Sequence, residues 1–191
     1  MDTSIDAPAQ GRPQRADARR NHERILSAAK TIFAEQGIGA QMDDVAAAAG
    51  VGVGTVYRHF PTKDALMGRL VAQHFEAIIG LERTAMGIEG PWDAFASLIT
   101  GGAQLMADDA HMRQAMLRFP DSAWEHARPQ TATVDELGGR VIRRAQEAGA
   151  LRHDFSVADM PMVMCGLCAS IDIPGADWRK LVDIILAGLR A

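Results

Sequence analysis

Residues 42 to 63, MDDVAAAAGVGVGTVYRHFPTK, constrain the fold more than any other stretch. Met42, Val45, Ala46 and Ala49 recur at i, i+3, i+4 and i+7, the apolar stripe of one short helix, and Asp43 and Asp44 sit near its positive N-terminal end. Gly50 follows at once, where left-handed backbone stops a helix and lets the next one leave at a steep angle. Val51 and Val56 anchor the crossed pair, which leaves Val53, Gly54, Thr55, Tyr57 and Arg58 on or near the outward face. Two short crossed helices with one free outer face read as a helix-turn-helix, a shape that fits a DNA major groove.

The flanking sequence completes this module. Ile25, Ala28, Ala29, Ile32 and Phe33 mark a helix from about Ala18 to Gln36 that ends at Gly37, giving a three-helix head over residues 18–63 that encloses Ile25, Ala29, Phe33, Val45, Val56 and Phe60. Residues 1–17, with Pro8, Gly11 and Pro13 among small and polar neighbours, read as a disordered basic arm. After Pro61, Thr62 caps a long helix that carries Leu66, Leu70, Phe75, Ile78 and Ile79 to about Met86. Residues 64–191 then read as a second, helical domain. Within it lie a helix with Trp92, Phe95, Leu98 and Ile99 that Gly101 and Gly102 weaken, a short helix from His111 to Leu117, and a clearer one through Val134, Leu137, Val141, Ile142 and Ala145. A helix capped by Ser156 or Asp159 accepts Pro161 only in its first turn, and Trp178, Leu181, Val182, Ile185, Leu186 and Leu189 form the cleanest stripe of the chain. The fold class is all-α, with about nine helices and no internal repeat.

Composition narrows the function classes. No apolar run reaches the about 18 residues a membrane span needs, and the first twenty residues lack the apolar segment of a secretory signal, so a cytoplasmic protein is expected. Net charge is −4, yet Arg12, Arg15, Arg19, Arg20 and Arg24 cluster just before the helix-turn-helix against only Asp17 and Glu23. Affinity for DNA depends on the phosphates a given surface meets, so an acidic body is compatible with a basic reading head, with Arg19 and Arg20 as contacts. Cys165 and Cys168 have the spacing of a redox or zinc pair, but Met162, Val163, Met164 and Leu167 around them describe an apolar helix, and two buried thiols are expected with no metal and no cofactor.

At residues 21 to 70 the motifs F-A-E-Q-G, D-V-A-x-A-A-G-V, G-T-V-Y-R-H-F and K-D-A-L stand in an order and spacing that resembles the tetracycline-repressor (TetR) family of bacterial transcription regulators. The resemblance implies that Thr55, Tyr57, His59 and Lys63 meet the DNA backbone or support the recognition helix, that Val53 and Gly54 approach bases, and that Gln41 starts the second helix where many members reach a phosphate; Arg58 on the outward face and Met42 beside Gln41 are further candidate DNA contacts. Gly52 and Gln41 depart from the hydroxyl residues many members carry; glycine is a weaker helix cap, and Gln41 retains a hydrogen-bond donor.

The resemblance further implies a homodimer whose two recognition helices lie about 34 Å apart on a near-palindromic operator. The last two helices supply the expected contact, through Met164, Leu167, Ile171, Trp178, Leu181, Val182, Ile185 and Leu189. A small, mostly apolar effector is expected to release the repressor from an adaptable pocket lined by Trp92, Phe95, Met106, Met112, Met116, Phe119, Trp124, Met164 and Cys168, with Asp108, His111, Arg118 and His126 as candidate polar anchors. The competing classes are a helical enzyme, for which six histidines show no metal pair or nucleophile signature, and an assembly module that binds no DNA.

Overall fold

Helix α1 runs Gly11–Gln36 in the computed structural model, which describes residues 11–191. The expected disordered arm of residues 1–17 is therefore helical from Gly11 onward, and residues 1–10 lie outside the described residues. Pro13 falls in the first turn, where a missing N–H costs no helical hydrogen bond. Beyond it the polar surface is tied by Arg20 to Asp17 and Arg19 to Glu23, one-turn pairs that an apolar stripe does not reveal.

Helices α2 (Met42–Ala49) and α3 (Val53–His59) form the crossed pair. Gly50 between them takes φ 62°, and its N–H reaches the carbonyls of Ala46 and Ala47. Helix α4 (Lys63–Met86) is capped by Thr62, whose Oγ1 accepts from the Ala65 N–H at 3.0 Å, and its 24 residues make a rod of about 36 Å. Helix α5 (Pro91–Asp108) continues through Gly101 and Gly102, and α6 (Ala110–Met116) follows. Helix α7 (Asp121–His126) is too short to show a period and was not expected. Helix α8 (Arg128–Glu147) starts at Arg128, ahead of its apolar stripe, with Pro129 in the first turn as the signal. Helix α9 (Met160–Ile171) also holds its proline, Pro161, in the first turn, and α10 (Trp178–Leu189) closes the fold. An isolated antiparallel bridge pairs Leu151 with Arg190.

Buried side chains gather in two cores, and the head does not own the first. Ile25, Phe33, Val45, Val56 and Phe60 are joined there by Leu66 and Leu70 of α4, by Met112 and Ala115 of α6, and by Ala123 and Ala127 beside α7. Gly68 makes the junction possible: a Cβ there would lie 2.3 Å from His126 Cβ and 3.2 Å from the Ala123 carbonyl, so only glycine lets α7 lie against α4. The second core holds Phe95 and Ile99 of α5, Val141 and Ile142 of α8, Leu167 of α9 and Leu189 of α10. Helix α4 passes from one to the other, with Leu66 to Ala72 in the first and Ala85 in the second.

Candidate nucleic-acid interface and enclosed cavity

The crossed pair is braced from α1. Arg24 Nη2 donates to the Gly50 carbonyl at 3.2 Å, fixing the turn, while the Gln41 N–H donates to Asp44 Oδ2 at 3.0 Å at the start of α2. Val56, fully buried, and Phe60 seat α3, leaving Tyr57 46% exposed. Nothing lies within 4 Å of a Cβ built at Gly52 or Gly54, so the helix backbone there is open to close approach. Arg58 folds back along α3, with Nε on the Gly54 carbonyl at 3.1 Å and Nη2 on Thr55 Oγ1 at 3.0 Å. His59 meets His22 of α1 at 5.6 Å between ring centroids, and His22 stacks on Phe60 at 5.0 Å. Burial, then His59 and Arg69, hold His22 below the usual histidine range. Lys63 Nζ lies 6.0 Å from the Phe33 ring centroid.

Exposed Arg19 and Arg20 pair with Glu23 and Asp17, surface contacts weak enough to exchange for phosphate. Three more expected contacts, Met42, Gln41 and Val53, have partners within the head. Met42 is 5% exposed and belongs to the head core, since the apolar stripe of α2 begins with it. The Gln41 side chain donates Nε2 to the Gly39 carbonyl at 2.8 Å. Val53 is half-buried against the same core.

Below the head lies a cavity of about 150 Å³ whose wall is almost wholly apolar. Met106, Met112, Met116, Trp124 and Cys168 line it as expected; His74, Leu105, Asp109, Arg113, Leu117 and Cys165 complete the wall. The other expected lining residues lie elsewhere. Trp92 sits under Arg190 at 4.3 Å, Phe95 is edge-on to Phe155 in the second core, and Phe119 is edge-on to Phe33 beneath the head. Met164 reaches toward Gly102 of α5. Nor do the four candidate anchors line it: Asp108 accepts from Gln104, Arg118 donates to the Ala34 carbonyl at 2.9 Å, His126 meets the Ser122 carbonyl at 2.7 Å, and exposed His111 lies outside the wall.

Asp109 joins the wall to the head. Its Oδ1 accepts from the Met112 N–H at 2.9 Å, capping α6, and its Oδ2 accepts from Lys30 Nζ of α1 at 2.7 Å. Burial alone would raise its carboxyl, but the Lys30 and Met112 hydrogen bonds hold it below the usual range. Arg113, 7% exposed, is held by Asp172, at 2.6 Å from Nη2 to Oδ1, and by the Met106 carbonyl. Cys165 is exposed rather than buried, and burial pushes the Cys168 thiol up.

The stripe expected at a dimer contact faces inward. Leu167, Trp178, Val182 and Leu189 are buried in the second core, and Met164, Ile171, Leu181 and Ile185 are half-buried against it. Outward stand Met162 of α9, Ile173 in the turn after it and Ile184 of α10, 71%, 57% and 59% exposed, with Cys165, Gly166, Ala169, Ala187 and Gly188 also exposed on the two helices.

Residues 25–70 match the model of bacterial regulatory proteins of the tetR family, and residues 90–191, over half the chain, match that of the C-terminal domain of SbtR-like transcriptional regulators. The chain belongs to the TetR family. It is 33% identical to a TetR transcription regulatory protein from Mycobacterium vanbaalenii, whose structure superposes with a TM-score of 0.64 over 94% of this chain and 100% of that one. It is 27% identical over 186 residues to the transcriptional regulator UidR of Escherichia coli, covering 92% of each, and 32% identical over 124 residues to the repressor KstR of Rhodococcus jostii, covering 64% of this chain and 58% of that one. Like other members of the family, this TetR-type chain is a ligand-responsive DNA-binding transcriptional regulator. No helix among the described residues is long and apolar enough to cross a membrane.

Proposed function

We propose that this regulator is a cytoplasmic repressor that binds a near-palindromic operator as a homodimer and is released by a small, mostly apolar effector held in the cavity beneath its head. The observation that carries this reading is the double engagement of Asp109, which caps a helix of the cavity wall and pairs with Lys30 on the first helix of the head. Arg118, just past α6, holds the Ala34 carbonyl of α1 as well, so a displacement of α6 is passed to the head at two points. An effector shifts the equilibrium only by its difference in affinity for the two arrangements, and about 1–3 kcal/mol suffices for regulation.

The outward face of α9 and α10 supports the dimer. Met162, Ile173 and Ile184 are large exposed apolar groups, and the small residues between them let a second helix pair approach closely. Two heads held in this way contact half-sites about one DNA turn apart. On the DNA, Arg19, Arg20, Arg58, His59 and Lys63 serve phosphates, while Gly54, Thr55 and Tyr57 present the groove-facing side of α3.

A salt-dependent band shift on fragments of the DNA flanking the gene, followed by footprinting, tests the reading. One fragment should stay bound as nonspecific complexes dissolve with rising salt. Arg58→Ala and Lys63→Ala should weaken that complex without changing the sedimentation of the dimer. Equal loss of every fragment would reject the repressor.

A further inference from the structure

The cavity wall carries two charged groups, and each is already paired. Arg113 donates two hydrogen bonds to Asp172 and one to the Met106 carbonyl. Asp109 accepts from Lys30 and from the Met112 N–H. A charged ligand would compete with one of these pairings for its partner, while an uncharged one leaves both intact.

His74 of α4 is different. It lines the cavity, its ring lies edge-on to Phe75 at 5.7 Å between centroids, and among the described residues no hydrogen bond to its nitrogens is found. Burial holds the imidazole below the usual histidine range, and the two charged groups facing it, Asp109 and Lys30, act in opposite directions. A neutral imidazole offers one donor and one acceptor. Among the described residues it is a polar group of the wall with no hydrogen bond of its own.

Size narrows the class further. An apolar cavity of about 150 Å³ takes up a benzene ring, and this one, open on one side, has a like volume of about 150 Å³, with Trp124 and three methionines to pack against a flat ring. Leu117, 71% exposed, marks the side open to solvent.

We infer that the cavity binds a small uncharged aromatic molecule carrying one hydroxyl, a phenol or benzyl alcohol, with the hydroxyl hydrogen-bonded to His74. The inference rests on reading this cavity as the effector site, but binding and its effect on DNA are separable. Calorimetric titration of the full chain with phenol, toluene and benzoate should show phenol bound about tenfold more tightly than toluene, the margin of one buried hydrogen bond, and benzoate about a hundredfold more weakly than phenol, the margin for breaking a paired charge. His74→Leu should bring phenol down to the toluene value and leave toluene unchanged, and His74→Gln, which keeps a donor and an acceptor, should retain the preference. Benzoate bound as well as phenol, phenol and toluene bound equally by the unaltered protein, or none of the three bound would each overturn the inference. A band shift with and without phenol reads the coupling: calorimetric binding with no change in operator affinity would reject the effector role of the cavity and leave the ligand class standing.

Discussion

Gly54→Ala should strengthen the fold and weaken the DNA complex. A methyl group at that position meets nothing within 4 Å, and the residue lies in α3 with ordinary helical backbone, so the folded protein has no steric need for glycine there. Alanine in a helix is favoured over glycine by about 0.5–1 kcal/mol, which in a chain of this size raises the melting temperature by about 1–4 °C. On the operator the added methyl stands between the recognition helix and the groove, where a mismatched contact costs about 1–3 kcal/mol per site. In the proposed dimer two heads engage at once, so affinity should fall at least about thirtyfold. Thermal melting and band shifts on the same preparation give both signs. Unchanged operator affinity together with the higher melting temperature would refute the assignment of the outer side of α3 to DNA. Gly50→Ala should do the reverse to stability, because φ 62° disfavours a side chain and Arg24 Nη2 lies 2.7 Å from the new Cβ.

The ion pair under the head should prove small by itself and larger when its cap is lost: Lys30→Met should cost about 0.5–1 kcal/mol and Asp109→Ala about 1–2 kcal/mol in urea unfolding, with non-additive values in the double variant. Glu82, 3% exposed with Oε2 unpartnered, is pushed up to about 8 by burial and by Asp135. Its folded state holds the proton more tightly than the unfolded chain, so wild-type stability should fall as pH rises from about 4.5 to about 8, and Glu82→Gln should remove that slope, read as the difference between the two unfolding curves across this window. Equal slopes would show that Glu82 ionises freely. Ile184→Glu should give a helical monomer by sedimentation and circular dichroism that has lost operator binding, whereas Val182→Glu, on the inward side of α10, should unfold. A dimeric Ile184→Glu protein would place the contact elsewhere.

The helix-turn-helix was readable because its signals are local. The stripe from Met42 to Ala49, the left-handed Gly50 and the Thr62 cap each act within a few residues, and the structure has all three where the sequence puts them. The cavity was half readable. Met106, Met112, Met116, Trp124 and Cys168 share their composition with Trp92, Phe95, Phe119 and Met164, and only the mutual rotation of α4, α5, α6, α7 and α9 decides which of them meet. His74, Asp109 and Arg113 were missed for the same reason, since a polar residue lines a cavity or faces water according to its neighbours. The stripe of α10 is the most apolar face of its helix, and much of it is taken by its own chain in the second core, which a single helix's period does not show; the side left exposed carries Ile184, Ala187 and Gly188. The helical start at Gly11 escaped a reading based on apolar period because the stretch ahead of Ile25 is polar, with one-turn ion pairs only from Asp17 onward among the described residues.

The core beneath the head has a consequence for how such a regulator can change over time. With Met112, Ala115, Ala123 and Ala127 forming the floor under Phe33 and Val56, the DNA reader is not a cassette to be moved whole onto another sensor. A chimera joined at Pro61 would strand that floor without its ceiling. New operators are therefore open to substitution on the free side of α3 alone, while a new sensing body has to keep the small inward residues of α6 and α7 or redesign both halves together.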